Sequence, residues 1–191
     1  MCEKINISQL YRIVVDDLAK IHDRSEASSL ARIIFEEVTN AKINNIITDN
    51  QVLTKNQFRL LKSYLSQLKL QKPIQYIIGK WEFFGIELNL SPDVLIPRPE
   101  TEELVDWIIK ANSVSNPHIL DIGTGSGCIA IALAKNIKGA KVKALDVSVK
   151  AIDVARDNAE DTGVNIDFVQ VDILKPQIKW QANYSFDIIV S

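Results

Sequence analysis

The run Ile119-Leu120-Asp121-Ile122-Gly123-Thr124-Gly125-Ser126-Gly127-Cys128 carries the strongest chemical signal in the chain. An apolar strand-like segment enters a glycine-rich turn, and a helix-forming segment follows. Glycine lets the backbone turn tightly and approach a ligand closely. The helix start beyond it offers free N–H groups and partial positive charge, which suit an anionic group. The competing reading is a turn that only packs a strand against a helix.

The spacing narrows the ligand. A dinucleotide fingerprint is G-x-G-x-x-G or G-x-G-x-x-A, so position 128 would be Gly or Ala. Here it is Cys128, and the observed pattern is G-x-G-x-G with Asp121 two residues ahead of Gly123. This resembles the first motif of S-adenosylmethionine-dependent methyltransferases. That cofactor carries an ammonium, a carboxylate and a sulfonium instead of a pyrophosphate. Asp121 suits the cationic part, and the loop amides suit the carboxylate.

Two further carboxylates follow at strand ends. Asp146 ends the segment Lys141–Asp146 and lies 19 residues past Gly127. A carboxylate there accepts hydrogen bonds from both ribose hydroxyls; the alternative is an Asp that caps the helix beginning near Ser148 and Val149. Asp172, in Val171-Asp172-Ile173, follows the next strand. It suits an adenine amino group, with Ile173 packing on the ring, or else it forms a turn ahead of Pro176. Both readings stand.

The elements that must position these residues emerge from composition and periodicity. The chain has 191 residues, 47% hydrophobic and 24% charged, with formal net charge −2. These are globular proportions, not those of a disordered or collagen-like chain. The near-neutral balance argues against broad, non-specific nucleic-acid binding. No apolar run reaches membrane-span length, and Met1 to Leu10 lack a signal-peptide layout. Cys2 and Cys128 do not make a disulfide framework, so a reducing cytoplasm is the expectation. His22 stands alone, and no residue cluster has metal-ligand spacing, so no metal is expected.

All 7 Gly and 6 Pro fall from Pro73 onward. A stretch free of both reads as helical. Residues 1–70 carry 10 basic and 8 acidic groups, whereas residues 71–191 carry 12 and 16. The division predicted is a helical substrate-docking domain over 1–72, a β-hairpin linker over 73–96, and a larger domain over 97–191. In the first, Leu10, Ile13, Val14, Leu18 and Ile21 share helical spacing. Ser25 caps a second helix with Ala27, Leu30, Ala31, Ile34, Phe35 and Val38 inward. Thr54 and Gln57 fit a capping box, followed by Phe58, Leu61, Leu65 and Leu68 on one face.

Ile74–Ile78 is strand-like. Gly79 interrupts it, and Ile86, Leu88 and Leu90 alternate beyond Gly85 in a hairpin pattern. Pro99 suits a first helical position. Glu100, Glu102 and Glu103 place negative charge at the helix start, and Leu104, Trp107 and Ile108 form its apolar stripe. Thereafter strands and helices alternate: His118–Ile122, Cys128–Lys135, Lys141–Val147, Val149–Asp161, Asn165–Val171 and Phe186–Val190. That alternation predicts a parallel, doubly wound sheet.

Three more segments make a specific resemblance: Pro73-Ile74-Gln75-Tyr76-Ile77-Ile78-Gly79, Trp81-Glu82-Phe83-Phe84-Gly85, and Val94-Leu95-Ile96-Pro97-Arg98-Pro99-Glu100-Thr101-Glu102. With the glycine loop and Asp146-Val147-Ser148, they resemble the HemK/PrmC family of release-factor glutamine methyltransferases. The resemblance runs from about Pro73 to Ser191, and the helical N-terminal unit fits the family layout. It implies an α/β chain: an N-terminal helix bundle, a β-hairpin linker, then a class I (Rossmann-like) S-adenosylmethionine methyltransferase domain. The acceptor it implies is the side-chain amide of the glutamine in a Gly-Gly-Gln loop of peptide-chain release factors. Gly123, Thr124, Gly125, Ser126 and Gly127 would line the methionine end beside Asp121. Asp146 would hold the ribose, Val147 beside it would also be a cofactor-binding residue, and Asp172 with Ile173 would face the adenine. Thr101, in the Ile96–Thr101 segment, would help close the pocket near the methyl group. Arg98 is a substrate-pocket candidate or a structural ion-pair partner.

The family's catalytic Asn-Pro-Pro-Tyr follows the fourth strand. Here that strand, Phe186–Val190, is followed by Ser191 and the sequence stops. An amide nitrogen is a poor nucleophile, and that Asn would orient it toward the methyl group. The resemblance thus implies no catalytic residue within this chain, a domain truncated after its fourth strand, and a fragment inactive alone. The expected protein is a cytoplasmic monomer without direct nucleic-acid or membrane partners. Two other readings are a DNA amino-methyltransferase, disfavoured by the acidic second unit and the lack of a basic stripe, and a non-catalytic release-factor-binding module. A dinucleotide dehydrogenase is opposed by Cys128.

Overall fold

The computed structural model describes residues 6–48, 51–175 and 185–191. Cys2 and Pro176 lie outside them. The described chain forms two compact units, divided between Ile78 and Gly79.

The first unit is helical: α1 (Ile7–Leu18), α2 (Arg24–Thr39), α3 (Ile43–Thr48), α4 (Lys55–Lys69) and α5 (Ile74–Ile78). Helix α2 buries Ala27, Leu30, Ala31, Ile34, Phe35 and Val38, the six residues its period assigns inward. Its cap differs from expectation. Asp23, not Ser25, accepts from the Ser25 and Glu26 amides at 2.9 Å each. A carboxylate accepts two amides at once and adds negative charge at the positive helix end, where a hydroxyl does neither as well.

Helix α1 also departs from its apolar pattern. Val14, Val15 and Leu18 are buried, whereas Ile13 is 53% exposed and Ile21 lies beyond the helix, also exposed. On α4, Leu61 and Leu68 are buried and Phe58 is exposed. The capping box forms as predicted, with the Gln57 amide donating to Thr54 Oγ1 at 3.3 Å and the Thr54 amide to Gln57 Oε1 at 2.9 Å. Replacing Thr54 with Ala should destabilise this unit by about 1 kcal/mol. Urea melting of both chains at one wavelength measures it, and an unchanged midpoint counts against the cap.

Ile74–Ile78 is a short helix, not a strand. Pro73 O accepts from the amides of Tyr76 at 3.1 Å and Ile77 at 3.2 Å, and Ile74 and Ile77 are buried at helical spacing. A five-residue apolar run satisfies both periods, so spacing alone does not separate them.

The second unit opens with β1 (Lys80–Phe83) and β2 (Ile86–Asn89), an antiparallel pair. Phe84 and Gly85 join them, both at positive φ (51° and 70°), as a type I′ turn requires. Phe83, Ile86 and Leu88 belong to the main core of this unit. Helix α6 (Pro99–Ala111) has Pro99 at its start and Glu100 and Glu102 in its first turn. Val105 and Ile108 are its buried residues, while Trp107 is 66% exposed. The inward stripe is therefore rotated from the one expected. Trp107 borders a surface cleft with Leu104, Ile188 and Ile189.

Next come β3 (His118–Ile122), α7 (Cys128–Asn136), β4 (Lys141–Asp146), α8 (Val149–Thr162), β5 (Ile166–Gln170) and β6 (Ile188–Val190). The sheet order is β5-β4-β3-β6, all parallel. The chain steps outward from β3 to β5, then returns to the other side of β3. In such sheets ligands bind beyond the carboxyl ends of the strands where the order reverses. Helix α7 buries Ala130, Ile131, Ala132 and Leu133, and both α6 and α8 pack against it. Ile119, Val142 and Ala144 bring the sheet into the same core.

Candidate cofactor site

The predicted residues converge at the carboxyl ends of β3, β4 and β5. Strand β3 runs into the loop Gly123–Gly127, and Gly123 and Thr124 both donate their amides to Leu145 O, at 2.8 and 2.9 Å. These two bonds hold the loop against the end of β4. The loop closes on itself where the Gly127 amide meets Thr124 O at 2.8 Å.

Gly127 has φ +81°, and a Cβ there would stand 3.1 Å from both Ala155 Cβ and Ile131 Cδ1. That glycine is needed for close helix packing. Gly123, at φ +76°, has nothing within 4 Å of where a Cβ would stand. Its open side leaves room for a ligand to approach the backbone. Helix α7 follows Gly127, which as a glycine offers its first turn no side-chain cap.

Asp121 is 1% exposed. Its Oδ2 accepts from Thr124 Oγ1 at 2.6 Å, while its Oδ1 is buried without a partner. Burial pushes its pKa up to about 6, against the opposing pull of the Thr124 hydroxyl and the Ala130 amide, with a smaller upward push from Asp146. A buried carboxylate with an unpartnered oxygen is suited to a cationic partner. Burial also pushes the Cys128 thiol up to about 11, which leaves it protonated and unreactive.

Asp146 is a bracket. Its Oδ2 accepts from the Gly125 amide at 2.9 Å, and its Oδ1 from the Ser148 amide at 2.9 Å. Ser148 itself caps α8, accepting from the Ala151 amide at 3.3 Å. The helix cap is thus supplied by another residue, and each Asp146 oxygen retains acceptor capacity. Val147 is exposed beside it, and its carbonyl accepts from Gln170 Nε2 at 3.2 Å.

The Val171 amide donates to Asp146 O at 2.8 Å, which brings Asp172 alongside Asp146 at the next strand end. Asp172 forms a turn: its Oδ1 accepts from the Leu174 amide at 3.1 Å, and its Oδ2 pairs with Lys175 at 3.5 Å. Ile173 is exposed. Arg98 is the exposed N-cap position of α6, without a side-chain cap bond, and its carbonyl accepts from the Thr101 amide at 3.0 Å. Thr101 is half-buried in the first helical turn. Among the described residues, no hydrogen bond joins Arg98 or Thr101 to the loop.

One residue of the site was missed by sequence reasoning. Asn158, on α8, is 1% exposed and bonds to the backbone of both Asn89 and Ser126. Its signal was present. It lies on the inward face with Ala151, Ile152, Ala155 and Ala159, where a lone polar side chain needs buried partners.

Residues 119–191 match the methyltransferase domain family, and residues 9–79 match the PrmC N-terminal domain. The release factor glutamine methyltransferase of Flavobacterium psychrophilum is 47% identical over 182 residues, 93% of this chain and 63% of its own length. The proteins of that name from Streptococcus pneumoniae and Bacteroides thetaiotaomicron are 38% and 37% identical. They cover 98% and 97% of this chain, and 65% and 66% of their own lengths. The chain thus spans just under two thirds of these curated relatives.

The parallel sheet, the glycine loop and the domain match define a class I, Rossmann-like S-adenosylmethionine methyltransferase domain. With the PrmC N-terminal domain ahead of it, and the relatives aligned through both, the chain belongs to the HemK/PrmC family.

Proposed function

We propose that the protein transfers a methyl group from S-adenosylmethionine to the glutamine side-chain amide in the Gly-Gly-Gln loop of peptide-chain release factors. The observation that carries the cofactor part is the Asp146 bracket, in which one carboxylate ties the glycine loop to the end of β4. The acceptor part is supported by the name shared by the relatives aligned through both domains.

The residues present fit the cofactor. The unpartnered Asp121 Oδ1 faces a need for positive charge that an ammonium meets. The open side of Gly123 and the uncapped start of α7 suit a carboxylate. Asp146 has acceptor capacity for two ribose hydroxyls. Asp172 and Ile173 are assigned to the adenine, Thr101 to closing the pocket, Val147 to the ribose rim, and Arg98 to the acceptor. When bound, the cofactor supplies an electrophilic methyl group on a sulfonium. The chain's own residues bind and orient it.

We assign residues 1–72 to docking the release factor. An apolar groove on the first unit supports this, lined by Leu10, Ile13, Phe58 and Leu65 and rimmed by Asp16 and Lys62. The protein is proposed to act as a cytoplasmic monomer. Among the described residues no helix is long and apolar enough to cross a membrane.

Calorimetry with S-adenosylmethionine and, separately, with a release factor tests both halves on this chain. Methyl transfer from labelled cofactor to a release factor by the whole protein tests the reaction. Transfer to DNA but not to the release factor would overturn the acceptor.

A further inference from the structure

The carboxamide of Asn158 makes three hydrogen bonds, all to backbone. Its Oδ1 accepts from the Asn89 amide at 2.7 Å, and its Nδ2 donates to Asn89 O at 3.0 Å and to Ser126 O at 2.9 Å. Toward Asn89 it behaves as one residue of an antiparallel ladder, giving and receiving one bond each. Toward the loop it holds one carbonyl. A peptide unit is planar, so fixing the Ser126 carbonyl also fixes the Gly127 N–H on the opposite side. That N–H is the one that meets Thr124 O and closes the loop. The Ser126–Gly127 peptide plane is therefore held from both sides, by Asn158 and by Thr124.

We propose that Asn158 is a positioning residue for the cofactor loop: it fixes the plane of the Ser126–Gly127 peptide and so sets the shape of the loop that lines the methionine end. The inference rests on the cofactor reading above. The same side chain anchors Asn89, from which the chain continues to Arg98 and α6. One amide thus ties the hairpin, α8 and the glycine loop together. Only a group with one acceptor and two donors on a flat frame makes this set. An aspartate of the same shape accepts from Asn89 N but places a charged oxygen against the Asn89 and Ser126 carbonyls.

The test is cofactor affinity measured apart from stability. Calorimetry with S-adenosylmethionine is run on the native 191-residue chain, on Asn158→Asp, and on Val105→Ala. Val105 is a fully buried core residue of α6, and its truncation destabilises without touching the loop. Asn158→Asp is expected to bind about thirtyfold more weakly. Val105→Ala, at a temperature where both variants are folded, is expected to stay within about threefold of native. Native-like affinity in Asn158→Asp, or equal losses in both variants, overturns the proposal.

Should Asn158→Asp not fold, the native chain carries the test by side-chain amide exchange. Saturating cofactor is expected to slow exchange at Asn158 by about tenfold. Asn136, whose Nδ2 donates to Ala132 O at 2.8 Å, serves as the unaffected reference. Equal response at both overturns the role of Asn158. If the native chain binds no cofactor, the cofactor reading falls and takes this inference with it; binding with no Asn158 effect removes this inference alone.

Discussion

Replacing Asp146 with Ala should weaken S-adenosylmethionine binding by about a hundredfold or more. Two losses combine. The first is the pair of charge-assisted hydrogen bonds assigned to the ribose hydroxyls, each worth about 1.5–3 kcal/mol. The second is the bracket itself, because the Gly125 and Ser148 amides lose the oxygens they meet at 2.9 Å. Asp146→Asn distinguishes the two. Its single acceptor oxygen cannot serve both amides, so it keeps half the bracket and loses the charge, and its affinity should fall between native and Ala. Calorimetry on chains matched for far-ultraviolet circular dichroism measures this. An Asp146→Ala chain that is folded and binds within about threefold of native would sink the ribose assignment.

Asp121 should make both stability and cofactor affinity depend on pH, in opposite senses. Its folded pKa of about 6 lies above the ordinary value of 3.8. Between these values the folded chain holds a proton that the unfolded chain has released, so stability falls as pH rises through this window. Above pH 6 the penalty is fully present, about 3 kcal/mol for a shift of about two units. Asp121→Asn should therefore be more stable than native at pH 7.5 by up to that amount, and no more stable near pH 4. Thermal melts at the two pH values decide it.

Cofactor binding should run the other way. An ammonium beside Asp121 favours the ionised carboxylate, so the native affinity should drop about tenfold per pH unit below about pH 6. Asp121→Asn should bind weakly with a flat profile over the same range. A native profile that is flat from pH 5 to pH 7 removes Asp121 from the cationic end of the site.

The parts of this fold that were legible in sequence are those where pattern and punctuation agree. Strand β3 has the predicted limits, His118–Ile122, because Pro117 precedes it and Gly123 ends it. The six inward residues of α2 and the capping box at Thr54 follow from the helical period and from local chemistry. The glycine loop and Asp146 were legible because strand, turn and strand end occur at fixed offsets. What was hidden depends on tertiary neighbours. Ile74–Ile78 is too short for its period to show, and Pro73 decides it as a helix. Ile13 and Trp107 are apolar yet exposed because the core takes the adjacent stripe, with Val14 and Val15 in α1 and Val105 in α6. Asn158 bonds across 69 residues to Asn89, a distance that no local window spans.

That separation has a consequence for the order of assembly. In the first unit, Tyr11 Oη already finds Ser28 O 17 residues on, at 3.1 Å. In the second unit, the Asn89–Asn158 stitch and the His118–Asp187 bond that starts β6 both span 69 residues. Contacts of long sequence separation form slowly because a large loop must close first. A chain that emerges from the ribosome at about 5–20 residues per second can finish its helices while β6 is still unsynthesised. Pulse-labelled hydrogen exchange during refolding should show α1 and α2 protected before β3, and simultaneous protection would count against it. The second unit then spends its earliest moments with the β3 edge uncovered, the interval in which association with other chains is a hazard.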